Sequence, residues 1–458
     1  MGARLGALTD AVSLGPAALE ALSGWGRHPV RSGHVVRPTR LAVPGGTSPL
    51  LARGLGRAYG DAAVPGSTEA IVIDTTRADR ILAFDLDSGR LTCEAGLSLA
   101  DLLRVVVPHG FFPPVTPGTK FVTVGGCVAS DVHGKNHHRD GSFGGYAERL
   151  TLRLADGSEA VCGPSLERPL FLATVGGMGL TGLIVEVVFR LSRIESPWIA
   201  LETERVGSLH DMLAGLRASR DWPYTVGWID GFARGPALGC GVLMRGRHAS
   251  RAEAADRPAP RRRAHHVPID APSWLLNPPL AQLFNRVYRA RHGRRHACRL
   301  VPYEQFFYPL DALLDWNRLY GRRGFLQYQC AIPLAAGAAP VTALLGRLTR
   351  RGAAPLLAVI KDFGPGSEAF LSFPIEGITL SLDLRYQGPP TEALIDELNN
   401  IVLEAGGRVY LAKDAVTRAD DFGRMMPKLG EWTAVRDRVD PHRRFRSAQS
   451  TRLFGDPA

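Results

Sequence analysis

Lysine is nearly missing from this 458-residue chain: of 55 basic residues only Lys120, Lys135, Lys361, Lys413 and Lys428 are lysine, and the rest are arginine. Such a skew reflects a GC-rich coding bias, so the net charge of +11 is weak grounds for a nucleic-acid partner. It makes the surviving lysines informative. A compact ammonium that can lose its proton offers chemistry that a planar, permanently charged guanidinium does not. Cysteine is also scarce: Cys93, Cys127, Cys162, Cys240, Cys298 and Cys330 stand without CxxC spacing, which argues against a zinc ribbon or a disulfide framework and leaves reduced thiols. No run of 18 apolar residues exists, and the opening "MGARLGALTDAVSLG" lacks the basic-then-apolar order of a secretory signal. The expected location is the cytoplasm or the membrane surface.

What is present is a large apolar fraction, 45%, enough for two sizeable cores. Residues 38–195 read as short strands with tight turns: "TRLAVPGG", "AIVIDTT", "ILAFDLDSGRLTCEAG" and "LTLRLADGSEAVCG". One helix stands out, "SLADLLRVVVPHG", with a serine cap, an apolar face and a closing glycine. Over 196–411 amphipathic helices such as "SLHDMLAGLRASR" alternate with strands such as "YTVGWID", "FLQYQCAIP", "PLLAVIKDFG" and "GITLSLDL". We expect an α+β protein: a first domain over 1–195, a second over 196–411 on an antiparallel sheet, and a return to the first over 412–458, an amphipathic helix followed by a short basic tail. Residues 250–300 form a basic insert with eleven arginines and three acids around "APSWLLNPPLAQLF". It reads either as a solvated mobile loop or as a surface for an anionic amphiphile.

Three glycine-rich loops punctuate the first domain: 44–61, 125–145 and 175–182. The third spells GxGxxG at Gly177, Gly179 and Gly182, but "LIVEVVFRL" follows it, a β-branched run where a Rossmann site needs a helix. In the second, "GGCVASDVHGKNHHRDGSFGG", His133, His137 and His138 suggest metal. The flanking glycines and the lack of a nearby Cys or Glu argue against it, and no metal is expected. No GxSxG elbow or triad-like cysteine offers a nucleophile. Glycines that let backbone N–H groups approach a long anionic cofactor fit better, and a flavin dinucleotide fits best once Rossmann topology is set aside.

The order "ARGLGRAYGD", "TPGTKFVTVGGCVASDVHGKNHH", "TVGGMGLTGLI", "GGRVYLAKD" and "GEWTAVRDRVDP" resembles the decaprenylphosphoryl-β-D-ribose 2'-oxidase family of PCMH-type (vanillyl-alcohol-oxidase group) flavoproteins, over nearly the whole chain. The resemblance implies oxidation of the ribose 2'-hydroxyl of a polyprenyl-phosphate sugar by noncovalent FAD. A partner short-chain reductase would then complete epimerisation to the arabinose donor for cell-wall arabinan, and a periplasmic location is known in the family. It implies that Arg53, Gly54, Leu55, Gly56, Arg57, Ala58 and Tyr59 wrap the pyrophosphate, with Tyr59 standing where covalent relatives place a flavin-linking histidine. Thr116, Gly118, Thr123, Gly125, Cys127, Val128, Ser130, Asp131, His133 and Gly134 would continue the cradle, with Gly179 and Ile184 near the adenine-ribose end and Tyr410 and Lys413 beside the cofactor. Tyr59, Lys135, Trp228, Tyr308, Gln327, Gln329, Lys361, Phe363, Thr379 and Ser381 would line the substrate.

Oxidising a carbinol requires a base for the hydroxyl proton. Lys413 is the first candidate, with an ion pair to Asp414 as the plain alternative; His133 is the second base or an orienter, with a scaffold role as its alternative. Lys135 and Lys361 are candidates for the substrate phosphate. Thr379 and Ser381 stand where the family commonly has Asn and Cys, and strand alternation puts both on one wall. The exact sugar-lipid is therefore open. A flavin oxidase of a soluble sugar, alditol or aldonolactone using O2 is the runner-up, and an Arg-rich nucleic-acid or membrane binder with vestigial loops is the third reading.

Overall fold

The computed structural model describes residues 17–255, 257, 264–272, 278–292 and 298–457. The fold is α+β. Strands Ala18–Ser23, Val30–Val36, Ile71–Asp74 and Leu50–Arg53 form a four-stranded sheet in that order, with both pairings to Ile71–Asp74 parallel. A second, antiparallel sheet runs Ile81–Phe84, Arg90–Glu94, Leu183–Arg190, Ala147–Arg153, Glu159–Cys162. Helix Leu99–Val106 starts where Ser98 accepts from the Asp101 N–H, and buries Leu99, Leu102, Leu103 and Val106. The expected strand at "TRLAVPGG" does not form. Residues 39–46 cross irregularly, because Pro44 cannot donate to a ladder and the next residues are Gly45 and Gly46; Val30–Val36 and Leu50–Arg53 supply the strands instead.

Residues 198–409 build an eight-stranded antiparallel sheet in the order Arg299–Pro302, Trp198–Val206, Gly241–His248, Tyr224–Ile229, Ala358–Phe363, Gly377–Arg385, Phe325–Pro333, Arg408–Val409. Period-2 alternation divides its central strands. Leu326, Tyr328, Cys330, Ile332, Ile360, Leu380 and Leu382 point one way, into a core with helices Leu209–Ala218, Ala339–Arg350 and Pro389–Glu404. Each such aliphatic side chain contributes about 1.5–3 kcal/mol by leaving water. Gln327, Gln329, Lys361, Thr379, Ser381 and Asp383 point the other way.

The chain then returns to the first two sheets. Phe422, Met426, Trp432, Val435, Phe445 and Leu453, from and around helices Ala419–Met425, Leu429–Val439 and Ala448–Phe454, join the core that contains Leu150, Val187 and Phe189. Arg436, fully buried, pairs with Asp456 at 2.5 Å, and Arg452 bridges Asp61 and Asp414, each at 2.8 Å. Of the basic insert, the described parts include strand His265–His266 and helix Pro278–Arg291; most of "RPAPRRR" and the "SWLLN" portion of the apolar patch lie outside the described residues. Among the described residues no helix is long and apolar enough to cross a membrane.

Candidate active site

Three of the five lysines converge on the polar face of the large sheet. Lys361 stands directly across from Thr379, and Gln329 across from Ser381, so one wall carries all four. Lys413 and Lys135 approach from loops. The other two lysines are engaged elsewhere: Lys120 pairs with Glu304 and Lys428 donates to the Glu368 carbonyl.

Lys413 lies on a turn closed by its own N–H donating to the Tyr410 carbonyl at 2.9 Å. Tyr59 N–H donates to the Ala412 carbonyl at 2.8 Å, and Gln449 holds the Leu411 carbonyl at 2.8 Å. Gly60 is obligatory here, since a Cβ would sit 1.7 Å from the Asp414 carbonyl oxygen. The glycine-rich loop and the lysine turn are thus dovetailed. The ammonium rests 3.6 Å from the centroid of the Tyr59 ring, over its negative face. Asp414 is not its partner: that carboxylate accepts from the Val416 and Thr417 N–H groups and from Arg452. Burial, and to a lesser extent Lys361, push the Lys413 amine well below its ordinary value, while the Asp383 charge pulls it back up.

His133 is held by a directed chain. Thr379 Oγ1 donates to the Cys330 carbonyl at 2.9 Å, so it accepts from Gln329 Nε2 at 3.1 Å, and the same amide meets His133 Nε2 at 2.9 Å. An amide nitrogen donates, so Nε2 is the acceptor and Nδ1 carries the proton. Nδ1 has no partner among the described residues. Burial, then the Lys361 charge, hold the imidazole neutral, and Phe363, Phe373 and Tyr410 enclose the ring at 5.0–5.5 Å. The Tyr410 hydroxyl donates to the Ser130 carbonyl at 2.9 Å.

Two loops keep backbone donors unpaired. The N–H groups of Leu55, Gly56, Arg57 and Ala58, and of Gly118 and Thr119, donate to no acceptor among the described residues. Unpaired N–H groups lined along a groove are what a pyrophosphate requires, so the residues present fit a flavin dinucleotide. Arg57 ties the loops together, its guanidinium 3.7 Å from the Trp25 ring centroid and 5.3 Å from that of Phe121. Gly56 adopts φ +62°, and a Cβ there would lie 2.2 Å from the Arg53 guanidinium. Thr123 caps the short helix Val124–Ala129, whose Gly125, Cys127 and Val128 are buried. Gly179 borders open space just before the buried Ile184.

Several side chains expected at the cofactor face inward instead. Arg53 turns under its own loop, donating to the carbonyls of Ala63 and of Ser23, the latter at 2.8 Å, because that loop's carbonyls need a donor. Asp131, fully buried, accepts from Ser142, Gly144 N–H, Ser367 and Ser372 at 2.6–3.1 Å. It pins the histidine loop to the segment after Lys361 and is wholly shielded from solvent. Cys127 is enclosed, and burial drives its thiol far up.

On the substrate side, Gly134 offers its carbonyl to Lys361 Nζ at 3.3 Å, and Lys135 Nζ donates to the Phe307 carbonyl at 3.1 Å. Desolvation lowers Lys361 to about 8; desolvation, then the Lys361 charge, lowers Lys135 to about 7. Tyr308 is buried with its hydroxyl 2.6 Å from Thr116 Oγ1, joining the two parts of the site. Trp228 lies farther along the face, opposite Val359, with its ring 4.7 Å from Tyr288 of helix Pro278–Arg291. His137 packs on Phe363 at 4.4 Å, and His138 meets the Trp222 carbonyl at 2.9 Å. Asp383 was missed by sequence reading, although it continues the alternation of Thr379 and Ser381. It is buried, accepts from Gln327 at 2.5 Å and Tyr320 at 3.2 Å, and neighbours Tyr59.

Comparison with known proteins places residues 46–163 in an FAD-binding domain family and residues 322–453 in a D-arabinono-1,4-lactone oxidase family. Decaprenylphosphoryl-β-D-ribose oxidase of Mycolicibacterium smegmatis is 35% identical, covering 96% of this chain and 98% of its own. A Streptomyces coelicolor protein known by its place in the mprA 5' region is 35% identical over 78% of this chain and 100% of its own. The mouse L-gulonolactone oxidase is 29% identical over 27% of this chain and 28% of its own.

Proposed function

Because the chain belongs to the decaprenylphosphoryl-β-D-ribose oxidase family of FAD-binding oxidoreductases, we propose that it oxidises the 2'-hydroxyl of a polyprenyl-phosphate ribose to the 2'-keto sugar. The observation that carries this is the convergence of Lys135, Lys361 and Lys413 around a neutral His133, facing loops with free backbone donors. When bound, FAD supplies the hydride acceptor. Lys413 accepts the hydroxyl proton; its lowered proton affinity leaves the amine free to do so near neutral pH. The His133 Nδ1–H orients the sugar oxygen as a donor. Lys135 and Lys361 gain a counter-charge when the substrate phosphate enters. Thr379 and Ser381 sit on the wall that selects the sugar.

FAD is held noncovalently in this reading. Burial keeps the Tyr59 phenol protonated and the Cys127 thiol likewise, so neither is a nucleophile toward the flavin. The polyprenyl chain leaves along Trp228 and Tyr288 toward helix Pro278–Arg291, which exposes Leu283, Phe284 and Val287 beside Arg286 and Arg291. That is the pattern of a peripheral membrane surface, with no role for nucleic acid. The keto sugar would pass to a short-chain reductase that completes epimerisation. Borodeuteride trapping of the product tests the reaction: deuterium at C2' of the recovered lipid sugar supports it, and unlabelled C2' refutes it. The lactone-oxidase match over 322–453 favours a second reading, an aldonolactone oxidase, in which free lactone and not the lipid sugar is consumed.

A further inference from the structure

Asp383 is a fully enclosed carboxylate, 1% exposed, that the proposed reaction does not yet use. Its two protein donors are neutral: the Gln327 amide at 2.5 Å on one oxygen and the Tyr320 hydroxyl at 3.2 Å on the other. Among the described residues it makes no ion pair within 4 Å, and buried carboxylates left without a counter-charge are costly. The layer above it is fixed. Tyr320 stacks on Phe325 with centroids 4.1 Å apart, Tyr59 meets Phe325 edge-on at 5.5 Å, and the Lys413 ammonium lies 3.6 Å from the Tyr59 ring centroid. A hydrogen bond and successive ring contacts thus link the carboxylate to the amine through Tyr320, Phe325 and Tyr59.

We propose that Asp383 is a positioning residue that acts through Lys413: locked by Gln327 and Tyr320, its carboxylate is the counter-charge that lets Lys413 hold the proton taken from the substrate hydroxyl. This rests on the reading of Lys413 as the base. The surrounding charges are few. Lys361, on the neighbouring strand, opposes protonation of Lys413; His133 is neutral; Tyr59 and Tyr320 stay protonated; Arg57 and Asp311 bear on Tyr59 from the loop side; and the charge of Asp414 is taken up by Arg452. Asp383 is the one acid in this set whose charge raises the proton affinity of Lys413, and Lys413 reciprocally favours the Asp383 carboxylate against burial. In the proton transfer the O–H bond breaks, N–H forms at Lys413 Nζ, and the charge of Asp383 favours the new ammonium.

The small lysine count makes the test direct. Holoenzyme labelled with ε-carbon-13 lysine gives five side-chain signals, and Lys413→Met identifies one. Asp383→Asn is expected to lower the titration midpoint of that signal by about one pH unit or more, leaving those of Lys120 and Lys428 in place. Asp383→Glu should restore it in part. A Lys413 midpoint unchanged in Asp383→Asn, even with slower turnover, overturns the proposal and leaves Asp383 a structural residue. Should Asp383→Asn lose signal dispersion, Tyr320→Phe, which removes one of the two donors that hold the carboxylate, carries the same test: a lowered Lys413 midpoint is expected, and an unmoved one overturns the proposal. Failure of the underlying reading looks different: Lys413→Ala would then leave flavin reduction by substrate unchanged, whatever the midpoints do.

Discussion

Replacing Lys135 by methionine should make the substrate-free holoenzyme more stable and, at the same time, unable to hold its substrate. Lys135 Nζ has one protein acceptor, the Phe307 carbonyl at 3.1 Å, and lies 5.3 and 5.6 Å from the Phe306 and Phe307 ring centroids. A drop from the usual 10.5 to about 7 corresponds to ~5 kcal/mol against the charged form at ~1.4 kcal/mol per pH unit. The side chain is only part-buried, so solvent screening reduces this by about half. Losing the hydrogen bond costs about 1 kcal/mol, and methionine against two phenylalanines recovers apolar contact. The net expectation at pH 7 is a gain of roughly 1–2 kcal/mol, read from the denaturation midpoint and slope in urea. The sign follows from proton counting. The unfolded lysine binds a proton between about 7 and 10.5 that the folded one does not, so wild-type stability rises with pH across that window. The advantage of the variant should therefore shrink toward pH 10. A lipid phosphoribose should stabilise the wild type and not the variant. A variant less stable than wild type at pH 7, or one whose advantage ignores pH, refutes the reasoning.

Three further outcomes follow from the same geometry. Asp131→Ala leaves three buried donors, on Ser142, Gly144 and Ser372, without an acceptor and should cost about 3–5 kcal/mol, seen as a lower urea midpoint; a loss below about 1 kcal/mol would show that the carboxylate does not pin the two parts. Acid precipitation should release all flavin into the supernatant, and yellow pellet would contradict noncovalent binding. Phe284→Ser, at an exposed site 61% accessible, should weaken sedimentation with anionic phosphatidylglycerol vesicles without slowing oxidation of a short-chain water-soluble analogue; equal vesicle binding would remove helix Pro278–Arg291 as the membrane contact.

Much of the site is legible in local sequence because its chemistry is local. Free donors on the "GLGRA" loop need glycine and closeness in sequence, and alternation along "GITLSLDL" puts Thr379 and Ser381 on one wall without any tertiary knowledge. The lysine scarcity points to Lys135, Lys361 and Lys413, but also to Lys120, which only pairs with Glu304. Asp383 escapes because its meaning comes from Tyr320, 63 residues away, and from Gln327 across the sheet. Arg53 and Asp131 mislead for the opposite reason: their positions in the motif are right for a cofactor loop, yet each side chain satisfies buried partners within the protein. At the C-terminal end Arg436 is buried and Arg452 half-buried, because Asp456, Asp61 and Asp414, distant in sequence, come to meet them. Strand Ala18–Ser23 buries no residue fully, and Val30–Val36 is exposed at Val30, Arg31 and His34, so apolar periodicity gives them little signal.

The central claim is that a lipid-linked ribose, held by lysines and deprotonated by Lys413, reduces the bound flavin. Anaerobic mixing of the purified yellow protein with polyprenyl-phosphoribose, free alditols and aldonolactones in parallel measures this directly. Full bleaching by the lipid sugar alone, strongly slowed in Lys413→Ala, is the predicted result; bleaching by a free lactone or alditol with none by the lipid sugar would contradict it.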